Sequence, residues 1–163
     1  MTLLLVLALW FQVAPAQVPV CQAHDGLPDS SPTCTPGATD PRVTQDNIAQ
    51  TICHRGYTAT VRPPSSYTNR LKREQMVAYG LAGQALSAVE EDHLVALEIG
   101  GSPTDTANLW PELWTGQWGA HDKDLVENAG RQAVCRGMMP LAEAQQRMAF
   151  NWVWFGYDLG VLQ

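Results

Sequence analysis

The sequence predicts an α+β fold in which a short antiparallel hairpin is followed by helices. Residues 89–99 form the most strand-like segment of the C-terminal half, and Gly100-Gly101 interrupts it. Residues 109–113 favour a second strand that returns beside the first. From His121 onwards, apolar residues recur at steps of three and four, which is the period of an amphipathic helix. The predicted order is therefore strand, loop, strand and helix.

Further elements are predicted on both sides of the hairpin. Residues 44–53 are expected to form a short helix with a threonine cap. Residues 57–61 alternate in polarity and are β-branched, which predicts a short strand that Pro63-Pro64 ends. A second helix is expected at about residues 68–79. After Pro140 we expect a last helix with an apolar stripe of Leu141, Ala144, Met148, Trp152 and Phe155.

The chain has 163 residues and a mass of 17.8 kDa, which suits one domain with a core of ordinary size. We expect four regions along it. These are a signal peptide at residues 1–16, a loop-rich N-terminal segment at 17–42, a part with helices and a short strand at 43–85, and the hairpin-and-helix part with the C-terminal helix at 86–163.

Residues 1–16 have the composition of a secretory signal peptide. They contain no charged side chain, and Ala14-Pro15-Ala16 offers small residues at a cleavage site. The apolar run is too short to span a bilayer comfortably. We therefore expect a secreted or periplasmic protein with no transmembrane anchor after cleavage. The alternative is a lipid attached at Cys21, but Val20 is larger than the residue that normally precedes such a cysteine.

Four cysteines follow the predicted cleavage site, and an even number in an exported chain suggests disulfides. A bond between Cys34 and Cys53 is preferred, because it would pin the turn-rich N-terminal segment. This choice leaves Cys21 and Cys135 as the second pair by elimination. The competing interpretation is a zinc site, for which the cysteines and neighbouring histidines offer four ligands: Cys21, His24, Cys53 and His54.

The formal net charge of −6 argues against a large nonspecific surface for nucleic acid, which normally needs a basic face. The charge is unevenly distributed, however. Residues 55–73 contain half of the lysine and arginine, and acids gather within residues 90–127. A basic segment of this kind can hold phosphates beside an acidic, metal-binding segment. The alternative is ordinary solvated surface charge.

Four residues suggest a site for phosphodiester chemistry: Asp92, His93, Asn108 and His121. A divalent metal ion polarises a phosphoryl group and neutralises charge on the departing oxygen. Histidine suits the deprotonation of water, because its ordinary pKa is about 6.5. Since adjacent residues on a regular strand point to opposite faces, Asp92 and His93 can share one site only if the strand bends or the site spans both faces.

The strings DHLVALEIGG and NLWPE resemble the HNH nuclease superfamily, and the wider pattern over residues 34–152 looks like a group of small secreted bacterial HNH-like proteins. The resemblance implies a ββα-metal core, a hairpin and a helix around one divalent metal ion, with additional flanking helices. By this resemblance Asp92 and His121 are metal ligands, and His93 is the general base. Asn108 braces the loop and orients the base, and Lys123 contacts a substrate phosphate.

Several assignments have a structural alternative. Asp92 and His93 could form a structural acid–histidine pair, Asn108 could cap a turn, and His121 could be a surface histidine. Three acids are expected to support the site rather than to bind the metal directly: Glu112, Asp124 and Glu127. The identity of the metal stays open between Mg²⁺, Mn²⁺, Ni²⁺ and Zn²⁺, since a site of carboxylate and imidazole accepts all four.

The leading functional prediction is a secreted, metal-dependent endonuclease that hydrolyses phosphodiester bonds in DNA, with RNA as a further substrate. The alternative is a secreted binding or structural module that keeps the HNH-like fold without catalysis. The acidic net charge favours the module, whereas the four residues of the predicted site favour the nuclease. A hydrolase for another phosphoester is a third candidate.

Overall fold

The computed structural model describes residues 20–163, so the predicted signal peptide at residues 1–16 lies outside the described residues. The α+β class is confirmed, because one two-stranded antiparallel sheet is combined with four helices. Within residues 20–163, no helix is long and apolar enough to cross a membrane. In chain order the elements are α1 (Tyr57–Val61), α2 (Ser65–Ala78), β1 (Val89–His93), β2 (Leu109–Leu113), α3 (Ala120–Cys135) and α4 (Leu141–Asp158).

The hairpin is formed by β1 and β2, whose register pairs Val89 with Leu113 and His93 with Leu109. The second strand has the bounds that the sequence predicts. The first strand ends at His93 rather than at residue 99, because the next backbone groups bond to Asn108 instead of to a partner strand. The remainder of the apolar run forms a 3-10 turn at Leu97–Ile99, in which both of these side chains are buried.

The core lies between α3, α4 and the turn that follows β1. The predicted apolar stripe of α4 is confirmed, since all five of its residues are buried. Gly130 of α3 permits the close contact between the two long helices, because a Cβ atom there would lie 3.1 Å from Cε1 of Phe155. Helix α2 covers the other side of the hairpin and buries Leu71 and Met76.

Two predictions upstream of the hairpin are wrong. The predicted strand at residues 57–61 is the helix α1, which begins after Gly56 in the left-handed conformation (φ 85°). Within α1 the hydroxyl of Thr60 donates to the carbonyl of Tyr57, so its β-branched side chain satisfies the backbone locally. The predicted helix at residues 44–53 is only a 3-10 turn at Gln45–Asn47 followed by further turns.

The predicted disulfide between Cys34 and Cys53 is also wrong. Cys34 pairs with Cys21 and Cys53 pairs with Cys135, at Cα–Cα distances of 5.8 and 5.6 Å. The N-terminal segment is closed locally by the Cys21–Cys34 disulfide, and within it Asp29 accepts hydrogen bonds from the backbone N–H groups of Gln22 and Ser31. All four cysteines are in disulfides, which excludes the zinc site considered for the thiols.

Candidate functional site

The two faces of the hairpin separate the residues that the sequence places side by side. The register pairs Asp92 with Trp110 and His93 with Leu109 and continues without a bulge through both pairs. Because side chains alternate along a strand, Asp92 and His93 point to opposite faces. Asp92 meets α3, whereas His93 lies against the loop that contains Pro103. The predicted residues therefore form two neighbouring environments rather than one cluster.

On the first face, the side chain that contacts Asp92 from α3 is Lys123. Its Nζ lies 2.5 Å from Oδ2 of Asp92 and 2.5 Å from Oε1 of Glu127, and it donates to the main-chain carbonyl of His93 at 2.8 Å. The Lys123 side chain is 1% exposed. Glu112 completes this group from β2, since its register partner Glu90 and Asp92 share one face of the hairpin. We call these four residues, Asp92, Glu112, Lys123 and Glu127, the hairpin–helix junction.

Charge neutralisation shapes the pKa values in the junction. Burial opposes the charged form of Lys123, but the carboxylates of Asp92 and Glu127 outweigh it and hold the pKa of Lys123 above its ordinary value. Burial would also raise the pKa of Asp92, but the ammonium outweighs it and holds that pKa low. Burial and then the neighbouring charge of Asp92 hold the pKa of Glu112 well above its ordinary value. The junction is thus built on an ion pair with a neutral acid beside it.

The junction as folded fits an ammonium rather than a divalent metal ion. Its carboxylate oxygens are the ligand type that hard divalent ions prefer, but Lys123 already lies among them. Among residues 20–163, no three His, Cys, Asp or Glu side chains are arranged to hold one ion. Burial also corrects the expected role of Lys123, because its ammonium is not exposed to a substrate phosphate.

Within residues 20–163, Asp92 and His121 belong to no group of three side chains that could hold a metal ion. His121 lies in the first turn of α3, where it is exposed and packs against Trp114 at a ring-centroid distance of 5.4 Å. The three predicted supporting acids separate in the same way. Glu112 and Glu127 belong to the hairpin–helix junction, whereas Asp124 is exposed on α3. Burial, and then the charge of Asp92, raises the pKa of Asp124.

On the second face, His93 has the environment of a neutral base. Burial lowers the pKa of its imidazole, and the ring is only 3% exposed. Its Nε2 lies 3.1 Å from the carbonyl oxygen of Pro103. A neutral imidazole must donate through Nε2 to that carbonyl, so Nδ1 keeps the lone pair. The carbonyl therefore fixes both the orientation and the tautomer of His93.

Asn108 holds the loop that presents this carbonyl. Its Oδ1 accepts from the N–H groups of Val95 and Ala38, and its Nδ2 donates to the carbonyls of Val95 and Ser102, all at 2.9 to 3.2 Å. Asn108 has no exposed surface. Gly101 allows the loop to close on itself, because a Cβ atom there would lie 1.7 Å from the carbonyl oxygen of Val95. The bracing position expected for Asn108 is thus present.

His93 lies at the wall of a cleft of about 370 Å³ between β1 and the start of α2. The cleft contains two cations. Lys72 is engaged, since its Nζ donates to the carbonyls of Leu86 and Val89. Arg62 is exposed, and its guanidinium takes part in no ion pair within the described part of the chain. Arg62, Glu90 and His93 all line this cleft.

Arg62 is a candidate site residue that the sequence interpretation named only as one of five cations in the basic segment. It belongs to the basic segment at residues 55–73, but nothing in its spacing singles it out from the four other cations there. Its position depends on α1, whose C-terminal end it caps by donating its backbone N–H to the carbonyl of Thr58. The expected strand at residues 57–61 would have placed this side chain differently.

A larger cavity of about 570 Å³ lies between the N-terminal segment, β2 and the loop before α3. Its walls are mainly apolar and aromatic and include Tyr79, Trp110 and Trp118. Glu112 also borders it, but both carboxyl oxygens of Glu112 are buried without accessible surface. The smaller cleft, which both His93 and Arg62 line, is therefore the candidate functional site.

Comparisons with known proteins add no relative. The chain matches no protein-family model, no curated protein and no solved structure.

Proposed function

We propose that the protein hydrolyses phosphodiester bonds in nucleic acid outside the cytoplasm, with DNA as the first substrate and His93 as the general base. The observation that carries this proposal is the state of His93. Its neutral form is favoured by burial, its tautomer is fixed by Pro103, and it borders a cleft with an exposed arginine. A base that is neutral near pH 7 can accept the proton of an attacking water. The two disulfides suit an oxidising compartment.

Arg62 takes the role of phosphate contact in this proposal. Arginine presents planar N–H donors that match two phosphate oxygens at once. An exposed guanidinium without a protein partner keeps these donors free for a substrate. Lys72 has a structural role in the wall of the cleft, because its Nζ donates both of its hydrogen bonds to backbone carbonyls. The proposal therefore replaces Lys123 by Arg62 as the residue that binds the phosphate.

The HNH resemblance implies a divalent metal ion, but Lys123 lies among the carboxylates of the junction that would bind it. His121 and Asp124 are two exposed side chains of metal-binding type, and they lie three residues apart on one side of α3. A metal requirement therefore stays a prediction, and the cleavage assay includes it as a variable.

The test is cleavage of supercoiled plasmid by the protein without residues 1–16. We expect the parent to nick the plasmid, and His93→Ala to lose on the order of 100-fold or more in rate, as expected for removal of a general base. His24→Ala is the matched control, because His24 is exposed and borders only the larger cavity. The melting temperature of each variant confirms that it is folded.

The same assay is run with chelator and with Mg²⁺, Mn²⁺, Ni²⁺ or Zn²⁺ added back. Cleavage that stops in chelator and returns with an ion supports the metal implied by the resemblance. Cleavage that persists in chelator means that the residues of the cleft suffice. A folded His93→Ala variant that nicks plasmid as fast as the parent would refute the proposed role of His93.

The alternative is a secreted module that keeps a hairpin and helix of this kind without catalysis. The occupied junction favours this alternative, since Lys123 fills it and leaves no three-ligand metal cluster among residues 20–163. The two candidates differ in one outcome. A module binds without turnover, so plasmid stays intact in every ion while Arg62→Ala still weakens binding to nucleic acid.

A further inference from the structure

Three aromatic side chains lie together at the surface, between the loop before α3 and the end of α4. The ring centroid of Tyr157 lies 5.7 Å from that of Trp118 and 5.7 Å from that of Trp154. Trp154 is 67% exposed and Tyr157 is 38% exposed. All three line a groove of about 540 Å³, which we call the aromatic groove. Exposed aromatic rings that are grouped in this way are typical of a surface that binds a ligand or a partner.

The backbone is strained at two positions of the aromatic groove. Within residues 20–163, the non-glycine residues in the left-handed conformation are Asp25 (φ 51°) and Trp118 (φ 59°), and both line this groove. The surrounding chain holds Trp118 in place. Its backbone N–H donates to Oδ2 of Asp122 at 3.1 Å, and a Cβ atom at Gly26 would collide with it. Strain that the fold maintains in this way is often found where a ligand is held.

Helix α4 is interrupted so that Trp154 is held from its own backbone. Asn151 has non-helical angles (φ −166°, ψ 92°), and its Oδ1 accepts from the backbone N–H of Trp154 at 2.9 Å, as an N-cap does. The indole N–H of Trp152 donates to the carbonyl of Gly26 at 2.8 Å. Gly26 therefore ties the segment that carries Trp154 to the loop that carries Trp118, and the rings are positioned before any ligand arrives.

The aromatic groove contains negative charge and lacks positive charge. Asp25 contributes an exposed carboxylate that takes part in no ion pair within residues 20–163. In the same part of the chain, no lysine or arginine lines the groove. The faces of aromatic rings carry partial negative charge, and they attract a cation that lies within about 6 Å of a ring centroid. The groove is therefore complementary to a cation, whereas a phosphate would be repelled.

The groove suits an organic cation better than a metal ion or a primary ammonium. Within residues 20–163, no three His, Cys, Asp or Glu side chains are arranged to hold a metal ion. A primary ammonium needs acceptors for three N–H groups. A quaternary ammonium has no N–H group, and its charge is spread over methyl groups that pack against aromatic rings.

We propose that the aromatic groove binds a trimethylammonium group, the cationic group of choline and of choline-bearing lipids. Trp118, Trp154 and Tyr157 contact the methyl groups, and Asp25 supplies the opposite charge. This proposal goes beyond the proposed function, because it concerns a second site and involves no cleavage.

The test compares choline with its neutral isostere dimethylbutanol, in which carbon replaces the charged nitrogen. Both are titrated into the protein and followed by calorimetry and tryptophan fluorescence. We expect choline to bind about tenfold more tightly than dimethylbutanol, since only the cation is attracted to the rings and to Asp25. Trp154→Ala and Tyr157→Ala should each weaken choline binding about tenfold. Asp25→Asn should reduce the preference for choline, and most strongly at low salt.

Phe150→Ala is the matched control, because Phe150 is 85% exposed on α4 but does not line the aromatic groove. It should bind choline like the parent. Melting temperatures show that each variant is folded, and the three groove variants make the result independent of any one of them. Vesicles of phosphatidylcholine then separate two sources of the group. Vesicle binding that free choline displaces shows that a lipid headgroup is accepted, and choline binding without vesicle binding limits the groove to the soluble form.

Three outcomes would overturn the proposal. The first is a parent that binds choline no more tightly than dimethylbutanol, or binds neither. The second is a set of folded groove variants that bind choline like the parent. The third is vesicle binding that choline does not displace and that Phe150→Ala abolishes, because the contact would then be an apolar one with the membrane. None of these readouts uses cleavage, so the plasmid assay and this test can fail separately.

Discussion

Asp92 and His93 are neighbours in sequence, and both have lowered pKa values for different physical reasons. Burial lowers the pKa of His93 and favours its neutral form. For Asp92 burial acts in the other direction, yet the ion pair with Lys123 outweighs it and favours the carboxylate. The two environments differ because the alternation of β1 places one side chain on each face of the hairpin.

The buried side chain of Glu91 leads to a prediction about how stability depends on pH. Burial, and then the charge of Asp92, raises its pKa from 4.5 to about 8. Between these values the folded protein keeps a proton that the unfolded chain has lost, so the free energy of unfolding should fall as the pH rises from about 5 to about 8. Glu91→Gln should remove roughly 1–4 kcal/mol of that fall, since one pKa unit corresponds to about 1.4 kcal/mol.

Urea unfolding at pH 5 and at pH 8 measures this effect. Subtracting the two free energies of unfolding removes any packing penalty of the amide, which is the same at both pH values. Glu74→Gln on the exposed side of α2 is the matched control, and it should leave the pH dependence of the parent unchanged. An equal pH dependence in Glu91→Gln and in the parent would show that Glu91 is ionised in the folded protein.

Among the elements, the loop between β1 and β2 depends on one side chain. Asn108 satisfies four backbone groups, and through Ser102 it holds the segment whose next residue, Pro103, bonds to His93. Asn108→Ala would leave buried donors and acceptors unpaired, each at a cost of about 1–3 kcal/mol. We therefore expect a loss of roughly 2–4 kcal/mol in the free energy of unfolding by urea.

Asn128→Ala is the control for this prediction. Asn128 is an exposed asparagine on α3 with one local bond, from its Nδ2 to the carbonyl of Asp124. Its loss should cost little, because water replaces the partner. If Asn108→Ala were no more destabilising than Asn128→Ala, the loop would not depend on the Asn108 side chain.

The secondary-structure elements also show which parts of the fold could be predicted from sequence patterns. The helices α3 and α4 were predictable, because each has a clear helical period that ends near a glycine, and the returning strand was predictable from its place after the interruption at Gly100-Gly101. Residues 57–61 were not, since β-branched residues favour a strand only where a neighbouring strand exists to pair with them. The apolar run after His93 was ambiguous for a similar reason, because a buried turn and a buried strand share the same composition.

At the scale of the whole molecule, contacts between residues that are distant in sequence could not be predicted. The disulfide between Cys53 and Cys135 joins residues 82 positions apart, and no spacing rule selects this partner from the alternatives. Lys123 shows the same limit of prediction from sequence at the candidate site. Its place in the helix was predictable, but its burial depends on how α3 meets β1. Arg62 reaches the cleft only through the turn that α1 introduces.

The net charge of the molecule also differs from the charge around the cleft. The chain carries a formal charge of −6, which disfavours broad contact with a polyanion. Much of the acid near the site is neutralised internally, by the ion pair of Lys123 and by a pKa of Glu90 that burial raises to about 7. The exposed guanidinium of Arg62 is therefore the charge that a phosphate would meet first in the cleft.

The dependence of DNA cleavage on pH tests the proposed base most directly. Initial cleavage rates of the parent and of His93→Ala are compared from about pH 4.5 to pH 8, within the range in which both are folded. Because protonated histidine cannot accept a proton, the rate of the parent should fall tenfold per pH unit on the acid side. The midpoint of this fall should lie below 6.5, in keeping with the lowered pKa of His93. His93→Ala should be slower throughout and lack that fall. A His93→Ala variant with the same rate and the same acid limb as the parent would contradict the account.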